Sequence, residues 1–297
     1  MLDVADKKLL LIGGKGFAGR HVAAMSGMYE VVSTGRECDV RDYESVVRMI
    51  ERERPDRVIH LAAVTTLAES FENPRRALEV NFGGAFNVLS ALQESDFKGE
   101  MLFVSSSEVY GPLSENELPV SEDRVLKPKS PYAVGKMAAE ALCCQWQGDF
   151  KIVVARPFNH IGPGQSERFS IPNFARQIGN IKLGLAEPVI SVGDIDISRD
   201  FTDVRDVARA YLLLLEKGRS GEIYNVCSGK DRTIRSLIEQ MCEIAGVEVE
   251  FRIDPSRVRR NEQRRVVGDH AKLSSDTGWQ PEISMDATLS DILKDSI

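Results

Sequence analysis

Paired cysteines, long apolar runs and an excess of positive charge are all missing from this chain of 297 residues. Its five cysteines are odd in number and have no CxxC spacing, so we expect neither a disulfide framework nor a metal site, and we expect a reducing cytoplasm. No apolar run approaches the roughly 20 residues that span a bilayer, so we expect no membrane partner. The net charge of -7 argues against nucleic-acid binding.

A targeting segment and repeats are also absent from the sequence. The first dozen residues, MLDVADKKLLLI, have no basic n-region and no small-residue cleavage site, so we expect no signal peptide. Hydrophobic residues make up 42% of the chain, which indicates a globular rather than a disordered protein.

Short apolar runs alternate with helical patterns along the first half. This order predicts an α/β fold with a Rossmann-like, doubly wound parallel sheet. After Phe158 the sequence becomes polar and rich in glycine, which indicates a loop near a site and then a smaller C-terminal substrate-binding α/β domain. We expect a cofactor domain of residues 1–158 plus about 200–228, and a substrate domain of residues 159–199 plus 229–297.

A glycine turn follows the first apolar run. Gly13, Gly16 and Gly19 have GxxGxxG spacing before a helix, which suits a dinucleotide pyrophosphate, although an ordinary strand-to-helix turn is the alternative. Where many such folds place an acid for the ribose, this chain has Arg36. Arginine suits a 2′-phosphate, so we expect NADP(H) to be preferred, while the neighbouring Glu37 leaves NAD(H) possible.

A tyrosine and a lysine stand four residues apart in SPYAVGK, on one face of a predicted helix. The ammonium of Lys136 can lower the pKa of Tyr132 and make it a usable acid or base. The pair alone is common on surface helices. It gains meaning from FVSSSEVYG, which ends the preceding strand and offers hydroxyl groups for a substrate carbonyl.

These three motifs, in this order, resemble the extended short-chain dehydrogenase/reductase family over essentially the full length. The resemblance implies that Ser106 polarises a carbonyl, that Tyr132 donates a proton, and that Lys136 holds the cofactor ribose and lowers the Tyr132 pKa. Ser105 and Ser107 would then be packing or turn residues. The cofactor-binding residues that it implies, besides Tyr132 and Lys136, are Gly13, Gly16, Phe17, Ala18, Gly19, Arg36, Asp39, Val40, Leu61, Ala62, Ala63 and His160.

The second half is similar to GDP-sugar enzymes of that family in RPFNHIGPGQ, SRDFTDVRDVARAY and TGWQPEI. This resemblance implies NADPH-dependent reduction of the C4 ketone of GDP-4-keto-6-deoxy-D-mannose to GDP-D-rhamnose, by a homodimer that pairs through residues 73–95 and 130–147. The substrate-binding residues that it implies are Ser106, Glu108, Asn159, Lys182, Arg199, Arg259 and Glu262. Arg260 replaces the proline of the family's Arg-Pro-x-Glu pattern.

Three other functions stay open. Glu108 occupies a place where dehydratases of this superfamily keep a catalytic glutamate, so a GDP-mannose 4,6-dehydratase is the main alternative, although the insertion typical of dehydratases after the second strand is missing. Another nucleotide-sugar epimerase or reductase is a further alternative. A redox-sensing regulator on the same fold is less favoured, because such proteins usually lose the tyrosine and lysine.

Five arginines crowd the segment SRVRRNEQRR, from Ser256 to Arg265, in an otherwise acidic chain. A solvated surface is one interpretation and an anion clamp is the other. We expect Arg259 to bind a diphosphate together with Arg199, and Glu262 to hold a ribose. Three of the others, Arg257, Arg264 and Arg265, are expected to be solvated or paired with acids.

Overall fold

The computed structural model describes residues 7–146, 148–257 and 263–296. Its strands are β1 (Lys8–Ile12), β2 (Glu30–Ser33), β3 (Arg57–His60), β4 (Glu100–Val104), β5 (Lys151–Pro157), β6 (Asn159–Ile161), β7 (Val189–Val192), β8 (Ser198–Asp203), β9 (Ile223–Val226), β10 (Asp231–Thr233), β11 (Glu250–Ile253) and β12 (Arg265–Val266). Its α-helices are α1 (Phe17–Met25), α2 (Tyr43–Glu53), α3 (Leu67–Glu72), α4 (Pro74–Leu78), α5 (Gly84–Glu94), α6 (Pro131–Gln145), α7 (Ser170–Lys182), α8 (Val204–Lys217), α9 (Ile234–Ala245), α10 (Ala271–Thr277) and α11 (Met285–Ser296).

Six strands form a parallel sheet in the order β2-β1-β3-β4-β5-β9. The chain moves outward from β1 to β2 and then crosses back to β3, so the winding direction reverses between β1 and β3. This arrangement confirms the predicted doubly wound sheet. The carboxyl ends of β1 and β3 therefore border the crevice in which such folds bind ligands.

Alternate side chains of β1 enter the layers on opposite faces of the sheet. Leu10 and Ile12 pack in a buried cluster with side chains of α2 and α5, whereas Leu9 and Leu11 pack in another with Tyr211 and its neighbours on α8. Both faces are thus covered by helices, which explains why the strands are continuously apolar rather than alternating.

The segment 73–95, which the resemblance places in the dimer contact, contains a π-helical turn at Glu79–Gly83 between α4 and α5. Within this turn the Asn81 amide accepts a hydrogen bond from Val64 N at 2.8 Å and donates one to Val64 O at 3.2 Å. Gly135 of α6 lies against Asn81, since a Cβ at Gly135 would come within 3.1 Å of the Asn81 Cβ. The turn thus fits between the loop after β3 and the helix that carries Tyr132 and Lys136.

A second sheet has the order β10-β8-β12, with β6 also paired to β8, and β7 pairs with β11 beside it. Its core is built by α7, α9 and α11 around Phe174, Phe201, Leu237 and Leu289. The chain then returns to the central sheet through α8 and β9. The division into two domains with the interleaved ranges given above remains a proposal.

Three buried aspartates in DFTDVRD connect β8 and α8 to later segments of the chain. Asp200 accepts hydrogen bonds from the backbone of Ser228, Gly229 and Gly268 at 2.8–3.2 Å. The carboxylate of Asp203 accepts from Thr288 Oγ1 at 2.7 Å, and that of Asp206 accepts from the backbone N–H groups of Glu282 and Ile283 at 3.0 and 2.8 Å. These bonds fix the second sheet and the C-terminal helices relative to α8.

Within the described ranges, no helix combines the length and apolar character that crossing a membrane requires.

Candidate active site

The glycine turn after β1 lies directly against the segment that follows β3. Gly13 has φ +85°, and a Cβ there would lie 2.6 Å from the amide nitrogen of Ala62. The N–H groups of Leu61 and Ala62 both donate to Ile12 O, at 2.8 and 2.9 Å. Only glycine fits this position, because its backbone angle and its close neighbour both exclude a side chain.

Helix α1 presents an uncapped N-terminus at this turn. Gly16 is its N-cap and offers no side-chain acceptor, so the first-turn N–H groups, which begin at Phe17 and Ala18, are left for another acceptor. Gly19 packs against Gly14, where a Cβ would meet the Gly14 Cα at 2.5 Å. A close, side-chain-free helix N-terminus fits the pyrophosphate of a dinucleotide.

Two cations meet where β2 ends. Arg36 is exposed there, and Lys15 of the glycine turn reaches the same place, with its Nζ 2.5 Å from Oε1 of Glu37. The hydrogen bond from Lys15 holds the pKa of Glu37 low, at about 2. Glu37, the acid that left NAD(H) possible as a cofactor, is therefore paired with Lys15. Sequence reasoning missed Lys15, although it stands in GGKGFAG.

Asp39 and Val40 follow on the same edge of the crevice. The guanidinium of Arg41 donates to both carboxylate oxygens of Asp39 at 2.6–3.1 Å and lowers its pKa. Val40 is buried against Gly84, where a Cβ would meet Val40 Cγ2 at 2.6 Å. Both residues thus have fixed positions beside the loop that carries Arg36.

Ser106 and Tyr132 lie together at the carboxyl end of β4. Ser106 Oγ accepts from Glu108 N at 3.2 Å, and the Ser106 side chain also hydrogen-bonds the Tyr132 hydroxyl. Burial raises the pKa of Tyr132 to about 12; the bond from Ser106 opposes this rise, and the charge of Glu108 adds to it. Tyr132 is therefore a phenol at neutral pH and can donate a proton.

Lys136 is buried one turn beyond Tyr132. Its Nζ donates to Val104 O at 2.7 Å and lies 5.1 Å from the centre of the Phe103 ring. Burial lowers its pKa to about 8. Burial is the largest influence on the pKa of Tyr132 in this structure, and the lowering expected from Lys136 stays a prediction.

A buried network joins the strand end that carries Ser106 to the helix that carries Tyr132. Arg156 of β5 donates to both carboxylate oxygens of Glu140 on α6, at 3.0 and 2.5 Å, and to Tyr110 OH at 2.9 Å. Tyr110 OH in turn donates to Asn225 Oδ1 on β9 at 2.7 Å. Sequence reasoning missed Arg156 and Glu140, since their partners are distant along the chain.

The opposite side of the crevice begins with β6. His160 stacks on Phe17 with ring centres 6.1 Å apart, its Nδ1 lies 3.0 Å from Phe158 O, and burial lowers its pKa. The guanidinium of Arg20 on α1 donates to Gly164 O at 2.8 Å. The loop after β5 is therefore held against the start of α1, beside the glycine turn.

The other predicted substrate residues lie on this second side. Asn159 is exposed and pairs in register with Phe201 of β8; both line a cavity of about 50 Å³. Arg199 lies two residues before Phe201, and its guanidinium donates to Ser198 O at 2.7 Å. Lys182 is exposed in the last turn of α7.

The arginine-rich segment is described only in part, because Arg259 and Glu262 lie outside the described residues. Arg260 lies outside them too, and the three arginines of the segment that the structure describes are paired with acids, as expected. Arg257 pairs with Asp254, Arg264 with Asp194, and Arg265 with Asp231.

Comparison with known proteins decides the family. Residues 29–292 match the family described as GDP-mannose 4,6 dehydratase. A GDP-6-deoxy-D-mannose reductase of Pseudomonas aeruginosa is 46% identical over 295 residues, which are 97% of each chain.

The chain belongs to the GDP-mannose 4,6-dehydratase family.

Within this family the similarity is uneven. The structure of RMD from Pseudomonas aeruginosa complexed with NADPH matches with a TM-score of 0.92 and 45% identity, covering 98% of each chain. A GDP-mannose 4,6-dehydratase of Yersinia enterocolitica is 28% identical over 84% of this chain and 74% of its own length. This family member thus resembles a reductase much more than a dehydratase.

Proposed function

We propose that the chain catalyses NADPH-dependent reduction of the C4 ketone of GDP-4-keto-6-deoxy-D-mannose to GDP-D-rhamnose. The observation that carries the proposal is the hydrogen-bonded pair of Ser106 and Tyr132, with Lys136 one turn away, next to the glycine turn. The Pseudomonas reductase, 46% identical over nearly the whole chain, supports the choice of substrate.

NADPH supplies the hydride when it is bound. Ser106 and Tyr132 place two hydroxyl groups at one point, where they can polarise a ketone oxygen, and Tyr132 then donates its proton to the alkoxide as it forms. A Tyr132 pKa of about 12 keeps that proton in place until negative charge develops on the substrate. In this proposal Lys136, held by Val104 O, orients the cofactor ribose beside Tyr132.

The residues of the crevice fit a phosphorylated dinucleotide. Gly13, Gly16, Phe17, Ala18 and Gly19 would hold its pyrophosphate. The adenine would lie by Asp39 and Val40, and the nicotinamide half by His160 and the segment of Leu61, Ala62 and Ala63. Arg36 favours NADP(H), because a 2′-phosphate supplies charge that a ribose hydroxyl lacks, and Lys15 engages the nearby acid Glu37.

The substrate would lie between the two sheets. In this proposal Asn159 and Glu108 contact the sugar, Lys182 lies near guanine, Arg199 and Arg259 bind the diphosphate, and Glu262 holds the ribose. Residues from both sides of the crevice are needed for this binding, so the two sheets must keep a fixed relation during turnover.

We also propose a homodimer that works in the cytoplasm. Apolar side chains are exposed along α4, the π-helical turn, α5 and α6, notably Leu78, Phe82, Phe86 and Val134. A patch of this kind marks a contact with another protein surface. The cysteines, Cys38, Cys143, Cys144, Cys227 and Cys242, are free thiols, which suits a reducing compartment. Neither a membrane nor a nucleic acid is proposed as a partner.

The test compares two substrates. With GDP-4-keto-6-deoxy-D-mannose the protein should oxidise NADPH and yield GDP-D-rhamnose, identified by NMR. With GDP-mannose alone it should yield no keto sugar. Formation of a keto sugar from GDP-mannose without net NADPH consumption would instead establish a dehydratase.

A further inference from the structure

A second arginine lies directly opposite Arg199. In the antiparallel pair of β10 and β8, Arg232 is the register partner of Arg199. Residues directly opposite in such a pair project their side chains to the same face, with Cβ atoms about 4.5–5.5 Å apart. Two guanidinium groups therefore start from neighbouring positions on one face of the second sheet.

Like charges placed directly opposite in a sheet are destabilising unless something compensates them. Nearby arginines have carboxylate partners: Arg235 pairs with Asp196, Arg264 with Asp194 and Arg265 with Asp231. Within the described ranges, Arg232 forms no hydrogen bond or ion pair. Among the described residues, Arg232 thus has no carboxylate partner of its own.

The face that carries this pair packs against the core of α7 and α9 and reaches a small cavity at Phe201. Phe201 lies two residues after Arg199 and so on the same face of β8. Its register partner is Asn159, and both line this cavity. Asn159, Phe201 and Arg199 thus lie on one face of the second sheet, and Arg232, on the neighbouring strand β10, lies on the same face.

We propose that Arg232 is a substrate-binding residue that, opposite Arg199, binds the diphosphate of a nucleoside-diphosphate sugar. This inference rests on the proposed function. A diphosphate is a multiply charged anion with oxygens on two phosphorus atoms, so it can accept hydrogen bonds from two guanidinium groups at once and cancel their repulsion. No sequence motif indicated Arg232, the first arginine of KDRTIRS. In this proposal its strand register with Arg199 places it in the site.

The test uses GDP and guanosine as probes with the full chain in isothermal titration calorimetry. Arg232→Gln should weaken GDP binding about 10- to 100-fold, as expected for loss of charge-assisted hydrogen bonds, and leave guanosine binding unchanged. Arg235→Gln is the matched control: it is an arginine three residues on with a carboxylate partner, and GDP binding should not change.

Thermal unfolding separates ligand binding from a structural role. Without ligand, Arg232→Gln should unfold at the wild-type temperature, because Arg232 forms no hydrogen bond or ion pair within the described ranges, and GDP should raise that temperature less than in wild type. Equal GDP affinity in Arg232→Gln and wild type would overturn the proposal, even if the ketone is reduced normally. Wild-type GDP binding without any ketone reduction would instead count against the proposed function alone.

Discussion

In the proposed function, single side chains at the end of β2 decide which cofactor binds. We predict that Arg36→Ala weakens NADPH binding about 10- to 100-fold and changes NADH binding little, because only NADPH has the 2′-phosphate that a guanidinium would meet. Calorimetric titration with both cofactors measures this. Equal losses for NADPH and NADH would show that Arg36 does not face the 2′-phosphate.

His60, at the end of β3, makes the fold sensitive to acid. It is fully buried, neither ring nitrogen has a hydrogen-bond partner among the described residues, and burial lowers its pKa to about 3. As the pH falls below 6.5, the His60 imidazole of the unfolded chain binds a proton. In the folded protein the same imidazole binds a proton only near pH 3. The free energy of unfolding therefore decreases between pH 6.5 and pH 3, and at pH 5 the decrease is about 2 kcal/mol.

We predict that His60→Leu removes this part of the acid sensitivity. Urea unfolding at pH 7.5 and pH 5 measures it: the loss of unfolding free energy between the two pH values should be about 2 kcal/mol smaller in the variant than in wild type. Other titrating groups contribute equally to both proteins and cancel. An identical loss in the two proteins would show that His60 is protonated normally in the fold.

At the scale of elements, the pair of Glu140 and Arg156 links α6 to β5 and is almost wholly buried on both sides. We predict that Glu140→Leu lowers the unfolding free energy by about 3–5 kcal/mol, because it leaves a buried guanidinium without its counter-charge. The double variant Glu140→Leu with Arg156→Met should recover most of this loss. Urea unfolding of all three variants checks the coupling, and simply additive losses would contradict it.

The helices and strands followed from local sequence, whereas the exceptions depend on contacts between distant segments. Ser130 caps α6 by accepting a hydrogen bond from Ala133 N at 3.1 Å, a contact between residues only three apart that local sequence can indicate. The π-helical turn at residues 79–83 depends on the bonds of Asn81 to Val64, which the helical pattern does not contain. The partner of Lys136 is a backbone carbonyl of β4, so no motif could indicate it.

At the scale of the whole molecule, the assembly should form through the apolar surface of α5 and α6. We predict that light scattering gives twice the chain mass of 33.0 kDa, and that Phe86→Asp gives the single mass. The reason is that a carboxylate at Phe86 would be buried without a partner in the proposed contact. Leu185→Asp, an exposed leucine elsewhere, is the control and should leave the dimer intact. A wild-type chain of 33.0 kDa would contradict the proposal.

The overall architecture could be predicted from the alternation of strands and helices, but the way its parts are joined could not. The aspartates of DFTDVRD look like a functional motif in the sequence, yet they bind backbone N–H groups and a threonine of later segments. Likewise, the pairing of Arg199 with Arg232 depends on strand register, which the short and irregular β10 does not reveal by pattern.

The central claim is that a hydride moves from NADPH to C4 of the keto sugar, with Tyr132 as proton donor. NMR of the product formed from GDP-4-keto-6-deoxy-D-mannose and NADPH deuterated at the nicotinamide C4 tests it most directly. We predict deuterium at C4 of GDP-D-rhamnose, and no turnover in Tyr132→Phe, which keeps the ring and loses the proton. A product without deuterium at C4, or undiminished turnover in Tyr132→Phe, would contradict the account.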